Sequence, residues 1–133
     1  MNHTQHLQKA ESNAKYVKTI KDCDFYDWII VACFYTELHY ISSFLRDKGG
    51  YEGTLNHGLR CELLRRYSRK GASHYQEFMK LKILYDKIGA HIDAVRYETS
   101  SNCKAKFRST EIADFIEDAL NNVPSIIGCT PIE

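Results

Sequence analysis

Two residues suited to phosphate chemistry, His57 and Arg60, lie three positions apart in this chain. In a helix this spacing places an imidazole and a guanidinium side by side on one surface. A histidine can give or take a proton near neutral pH, and an arginine can hold two phosphate oxygens in a fork. We therefore interpret His57 and Arg60 as the candidate catalytic residues.

Cleavage of a phosphate ester without a metal ion needs a base, an acid for the leaving oxygen and a cation beside the phosphate. One histidine and one arginine are too few, but a two-fold dimer that joins both copies of this helix would provide two of each. A structural role is the alternative. His57 can belong to a turn, and Arg60 can extend along apolar surface or pair with an acid such as Glu37 or Asp86.

An aromatic, nearly uncharged segment precedes this pair in the sequence. Between Asp27 and Arg46 the only formally charged side chain is that of Glu37. Such a segment predicts a helix buried on nearly all sides, which needs more than one neighbouring helix. Asp24 is a suitable N-cap for it, and it should run to about Lys48, just before two glycines.

Three residues of this apolar helix have ring systems that also occur in binding sites. His39 lies one turn from Tyr35, and we interpret both as residues that support the catalytic pair from behind rather than contact a substrate. Trp28 and the tyrosines at heptad positions are interpreted as core or as a dimer seam. We expect a buried His39 to be hydrogen-bonded to a neighbour.

Helical periodicity of the apolar residues and the presence of only two prolines predict an all-α chain of four to five helices. The first helix has an apolar stripe from Leu7 to Ile20, with His3 and His6 assigned to a frayed terminus. A polar connection is expected at 98–108. The first four predicted helices cover about 4–21, 24–48, 57–68 and 73–97. The fourth begins with a capping box at Ser73-His74-Tyr75-Gln76, and a fifth helix is capped by Ser109.

Length and composition indicate one domain, 1–133, with its core at about 4–126, because 133 residues with 44% hydrophobic content can bury one core. The five cysteines are widely spaced without a C-x-x-C pair, which indicates reduced thiols. We expect a soluble cytoplasmic protein without a membrane segment or signal peptide. No Glu-x-x-His pair or glycine-rich phosphate loop occurs, so neither a metal nor a cofactor is expected.

The charge is unevenly distributed although the net charge is only +1. Residues 57–108 contain twelve Lys or Arg against five Asp or Glu, whereas residues 109–133 contain five acids and no base. A basic middle third can attract a polyanion such as RNA, although a solvated helix surface explains the same clusters. The candidate phosphate- or RNA-binding residues are the densest of these: Arg65, Arg66, Arg69 and Lys70.

The order of the motifs, from about Leu7 to about Val123, resembles the small stand-alone HEPN-like proteins. The motifs are Asp27-Trp28, Phe34-Tyr35, Leu38-His39-Tyr40, His57-x-x-Arg60, Leu84-Tyr85-Asp86 and Arg96-Tyr97. The resemblance implies a HEPN-like up-and-down helical bundle that is usually a homodimer, in a superfamily that includes metal-independent endoribonucleases of toxin–antitoxin and defence systems. Other members of that superfamily have no known catalytic activity.

HEPN ribonucleases typically carry an Arg followed four to six residues later by a His on the same helix, whereas here His57 precedes Arg60. The one literal match, Arg69 to His74, spans Gly71 and is interpreted as a coincidence. The chain is thus expected to bind RNA or a nucleotide and to be a candidate endoribonuclease with a site at the dimer interface. An antitoxin is the expected partner if the chain is a toxin. The alternative is a non-catalytic dimeric interaction module or the partner of a nucleotidyltransferase.

Overall fold

The computed structural model describes residues 1–97 and 100–131, and these contain helices and no β-strand. The prediction of an all-α chain is therefore confirmed for that part of the chain. The α-helices are α1 His3–Ile20, α2 Tyr26–Asp47, α3 His57–Tyr67, α4 Tyr75–Tyr97, α5 Ser100–Lys106, α6 Ser109–Glu117 and α7 Val123–Ile126, with a π-helical turn, Asp118–Asn122, between the last two.

The central helix is α2, which contacts α1, α4, α5, α6 and α7. Most of its side chains are buried, as the nearly uncharged sequence predicts. By length and composition α2 could cross a membrane, but 78% of its most apolar window is buried inside the protein. The core helix of a soluble protein has the same character. The structure is thus compatible with a soluble protein, while the cytoplasmic location stays a prediction.

The first helix, α1, packs along α2 through one face of small residues. Asn2 caps its N-terminus: the Asn2 side chain accepts from the Gln5 amide, and the Gln5 side chain accepts from the Asn2 amide, both at 2.9 Å. The fully buried Ala10 and Ala14 allow the two helices to approach closely. His6 lies on this same face and is 7% exposed, so its assignment to a frayed terminus is wrong.

A loop at 48–56 joins α2 to α3 and is held by one arginine. The Nη1 atom of Arg46 donates to the carbonyl oxygens of Tyr51, at 3.1 Å, and of Gly53, at 2.6 Å. The Asn56 side chain then accepts from the Leu59 amide at 2.8 Å and caps α3. The helix α3 packs on α4, so the first turn of α3 lies beside α4.

Several predicted helix boundaries are wrong. Phe25 precedes α2 without a side-chain cap, so Asp24 is not its N-cap. The helix α4 begins at Tyr75 instead of Ser73, because His74 has a positive φ of 59°. A short helix, α5, occupies most of the segment predicted as a polar connection. Residue 98 of that segment lies outside the described residues, as does residue 99.

The predicted fifth helix is divided into α6, the π-helical turn and α7. Arg108, rather than Ser109, is the capping residue: the Glu111 side chain accepts from the Arg108 amide at 3.2 Å. Pro124 explains the break further on, because it has no N–H and its ring clashes with the carbonyl four residues earlier in a regular α-helix. The wider π-helical turn accommodates this position.

Candidate functional site

The hydroxyl group of Tyr85, on α4, joins the two predicted catalytic residues. Arg60 Nε donates to this hydroxyl at 3.0 Å, and His57 Nδ1 lies 2.8 Å from it. The Tyr85 ring is fully buried and stacks on the Phe34 ring of α2, with 5.5 Å between the ring centroids. The helical spacing does bring His57 and Arg60 together, through a third residue that sequence reasoning did not assign to the site.

These contacts also decide where the protons lie. Burial, partly opposed by the nearby Arg60 charge, raises the pKa of Tyr85 to about 12, so the phenol stays protonated. Because Tyr85 accepts from Arg60, its own proton is available to His57 Nδ1. A neutral His57 then carries its proton on Nε2, which lies 3.8 Å from the Cys61 sulfur.

The Arg60 side chain is buried, with 8% exposure, yet it pairs with no carboxylate among the described residues. The two acids proposed as partners lie elsewhere: Asp86 pairs with Lys82 at 2.6 Å, and Glu37 is fully buried near Asp118. The alternative of an Arg60 ion pair with either acid is therefore wrong. A guanidinium withdrawn from water without a carboxylate is a favourable place for an anionic ligand.

Arg60 opens into a cleft of about 790 Å³ between the start of α1, the middle of α2 and the loop after α2. His6 of α1, His39 and Arg46 of α2, and Glu52 of the loop line the same cleft. Two arginines against one exposed glutamate give it a net positive charge. An anionic group that enters the cleft would meet guanidinium groups and imidazoles together.

His6 and His39 form a direct hydrogen bond, with 3.0 Å between their Nδ1 atoms. Burial lowers the pKa of both histidines to about 4. At His6 the neighbouring His39 and Arg46 contribute to the lowering. At His39 the charges of Arg60 and Lys9 do so. Both rings are therefore neutral at pH 7, so one Nδ1 donates and the other accepts. It follows that one Nε2 carries a lone pair and the other carries a hydrogen.

The predicted supporting residues have different positions from those expected. His39 lies in the cleft itself, and its hydrogen-bond partner is His6 rather than His57 or Arg60. Tyr35 is 38% exposed, and its hydroxyl accepts from Arg96 at 2.7 Å. Trp28 is 55% exposed, so its interpretation as core is wrong.

The predicted basic cluster does not converge on this cleft. Arg65 and Arg66 both pair with Glu62 on the surface of α3, at 2.6 and 3.6 Å. Arg69 and Lys70 are exposed in the connection between α3 and α4, and none of the four lines the cleft. His74 lies in that connection as well, so the Arg69 to His74 match does not share a helix.

Sequence reasoning missed three residues of the site: His6, Arg46 and Tyr85. His6, Ala10 and Ala14 follow one another at intervals of one helical turn, and this spacing was a signal that His6 faces α2 with the two alanines. Arg46 was visible as the first cation of an otherwise almost uncharged helix. Tyr85 lies at a heptad position of α4, where nothing distinguishes a tyrosine that supports a site from one that fills the core.

No family model matches this chain, and comparisons with curated proteins and with solved structures also found no match. Within residues 1–97 and 100–131, no three His, Cys, Asp or Glu side chains are grouped so that they could hold a metal ion. The HEPN-like assignment therefore stays a prediction from the order of the motifs. The helical architecture agrees with it at the level of fold class alone.

Proposed function

We propose that the cleft binds a phosphate of RNA or of a nucleotide, and that the protein is a metal-independent endoribonuclease. The single observation that carries the proposal is the Arg60 guanidinium, which is 8% exposed, has no carboxylate partner in the described chain and opens into a cleft with two neutral histidines. A bound phosphate would provide the negative charge that the protein does not supply.

The two arginines of the cleft have different roles in this proposal. Tyr85 accepts from Arg60 Nε and so leaves the two terminal nitrogens of that guanidinium for phosphate oxygens. Arg46 Nη1 is engaged by the loop carbonyls, and its charge remains at the cleft wall. Charge that develops on the phosphate during cleavage would be stabilised by both side chains.

The histidine pair can carry the two protons of the cleavage step. The Nε2 lone pair of one ring takes the proton of the ribose 2′-hydroxyl, and the resulting oxyanion attacks phosphorus. The Nδ1 proton of that ring passes to the other Nδ1, whose ring gives its Nε2 proton to the 5′-oxygen as the phosphorus–oxygen bond breaks. The products are a 2′,3′-cyclic phosphate and a 5′-hydroxyl, and both rings end neutral.

His57 is exposed and reaches Arg60 only through Tyr85. We propose that it positions Arg60 within one copy, and that the HEPN-like dimer brings a second His57 and Arg60 to the composite site. The rival proposal is a non-catalytic dimeric interaction module or the partner of a nucleotidyltransferase. In that case Arg60 serves packing and binds no RNA.

Binding of labelled single-stranded RNA, followed by fluorescence anisotropy at several salt concentrations, tests the proposed phosphate site. Arg60→Met keeps an apolar stem of similar length and removes the charge. We expect about tenfold weaker binding and a shallower salt dependence. Arg65→Met is the matched control, because Arg65 is exposed and pairs with Glu62 outside the cleft. Equal affinity of wild type and Arg60→Met, with both folded by circular dichroism, would contradict the proposal.

A further inference from the structure

A second cleft, of about 750 Å³, lies between α1, α2 and α4 and has aromatic walls. Tyr16, Trp28 and Tyr35 line it, and they are 50%, 55% and 38% exposed. Scattered exposed aromatic residues are common on protein surfaces, but three in one concave region mark a binding site for an apolar or aromatic group. The proposed endoribonuclease chemistry uses none of these rings.

The indole ring of Trp28 is held in place by its neighbour Phe25. Their ring centroids lie 4.9 Å apart with an interplanar angle of 27°, which is a stacked arrangement. More than half of Trp28 nevertheless remains accessible. A supported and accessible indole is a favourable platform for stacking a planar ring, because little side-chain freedom is lost when the ligand binds.

Polar and charged groups surround the aromatic walls. Arg96 donates to the Tyr35 hydroxyl, and its guanidinium lies 5.7 Å from the Tyr35 ring centroid. Lys9 adds a second cation, and Asn13 provides an acceptor and donors for the polar edge of a ring, while Asp27 also lines the cleft. This combination of aromatic rings, cations and edge-binding groups matches a nucleobase attached to a phosphate backbone.

His39 lines both this aromatic cleft and the arginine cleft that contains Arg60. The two clefts therefore adjoin at one side chain. We propose that the aromatic cleft is a nucleobase site for single-stranded RNA, in which a base stacks on Trp28 while an adjoining phosphate occupies the arginine cleft. This inference rests on the proposed phosphate site and specifies the ligand as a single strand with an unpaired base.

A second copy of the chain is a different occupant of an exposed aromatic surface. The charges favour a nucleobase with its attached phosphates, because Lys9 and Arg96 outnumber Asp27 in the aromatic cleft and the arginine cleft continues its positive surface. Protein–protein interfaces are enriched in aromatic residues and arginine but depleted of lysine and aspartate, and this cleft contains both Lys9 and Asp27. The self-association outcome is included in the test below.

Trp28 is the only tryptophan of the chain, so its fluorescence reports directly on the aromatic cleft. The probes are an oligoadenylate of about four nucleotides, an abasic ribose-phosphate oligomer of the same length, and adenosine without phosphate. We expect the oligoadenylate to quench Trp28 and to bind about tenfold more tightly than the abasic oligomer. Adenosine alone should quench Trp28 weakly, also in Arg60→Met, because the base site does not require the phosphate site.

Tyr16→Ala tests the wall of the aromatic cleft without altering the arginine cleft. It should remove most of the difference in affinity between the oligoadenylate and the abasic oligomer, while binding of the abasic oligomer stays unchanged. Ile83→Ala is the control, since Ile83 is 62% exposed and lies outside the aromatic cleft. It should leave all three affinities within about twofold of wild type.

Three outcomes would overturn the nucleobase site. Equal affinity for the oligoadenylate and the abasic oligomer, without quenching by either, rejects the base site while the phosphate site stands. Quenching by adenosine, together with oligomer binding that Arg60→Met does not weaken, rejects the phosphate site and the link between the two clefts. A Trp28 emission shift that depends on protein concentration alone assigns the aromatic cleft to self-association.

Discussion

The Nε atom of Arg60 lies 3.0 Å from the hydroxyl oxygen of Tyr85, and this contact fixes the guanidinium at the mouth of the arginine cleft. Tyr85 is fully buried, and an apolar ring would fill the same space, so packing does not require its hydroxyl group. The arrangement indicates that Tyr85 is a positioning residue for Arg60. Its importance can be measured by removing a single oxygen atom.

Tyr85→Phe should lower the free energy of unfolding by about 1–3 kcal/mol, because it leaves the buried Arg60 Nε without its acceptor. RNA binding should weaken as well, since the guanidinium loses its orientation. Tyr40→Phe is a matched control: Tyr40 is 1% exposed, and its hydroxyl has no hydrogen-bond partner among the described residues. Chemical denaturation of both variants checks the prediction, and equal losses from the two would contradict the role assigned to Tyr85.

Glu37 should make stability fall as the pH rises. Its carboxyl group is fully buried, and burial together with the Asp118 charge raises its pKa well above the ordinary value, against the opposing effect of Lys87. Above a pH of about 4.5 the unfolded chain loses this proton while the folded chain keeps it. The resulting loss of stability has a slope of up to about 1.4 kcal/mol per pH unit.

Glu37→Gln removes this titration and is nearly isosteric. The difference in free energy of unfolding between the variant and wild type should therefore grow in favour of the variant from pH 4.5 upwards, as measured by urea denaturation at several pH values. A difference that does not change with pH would show that Glu37 is ionised in the folded protein.

The pair formed by His6 and His39 should act in the opposite direction. Their pKa values are lowered from 6.5 to about 4, so the unfolded chain binds more protons between these values and stability falls as the pH falls. We expect the total loss to be smaller than the roughly 7 kcal/mol that two full shifts would give, because the accessible parts of both rings are screened by solvent. The measurement belongs in the Glu37→Gln background, which removes the opposing titration.

In that background His6→Gln should reduce the loss of stability between pH 6.5 and 4, whereas His3→Gln, a change at an exposed position, should leave it unchanged. If the two variants have the same pH dependence as their parent, the neutral histidine pair is absent in solution. RNA cleavage by the wild type should correspondingly decline as the pH falls through about 4, because protonation removes the Nε2 base.

Sequence reasoning reached the fold class and the approximate ranges of the first three helices, because their apolar residues recur with a helical period and two glycines follow α2. It could not find the π-helical turn before Pro124, since that turn depends on how the chain packs on both sides of the proline. The hydrogen bond between His6 and His39 joins residues 33 positions apart. Local spacing carries no information about such a contact.

In the candidate site, too, sequence spacing predicted the contacts within one helix but not those between helices. The i, i+3 spacing correctly brings His57 and Arg60 together, but the Tyr85 hydroxyl that joins them belongs to another helix. Charge density favoured the exposed arginines of α3, whereas the buried Arg60 and the loop-bound Arg46 line the cleft. Exposure, and not charge count, separates these two sets of residues.

The most direct test of the endoribonuclease proposal is cleavage of labelled RNA by the purified protein in excess EDTA. We compare the wild type with Arg60→Met, His39→Gln and the surface control Arg65→Met, all prepared identically. The account predicts cleavage with 2′,3′-cyclic phosphate ends by the wild type and the control, and rates at least about 100-fold lower for the two cleft variants. No cleavage by the folded wild type, or equal cleavage by all four proteins, would contradict it.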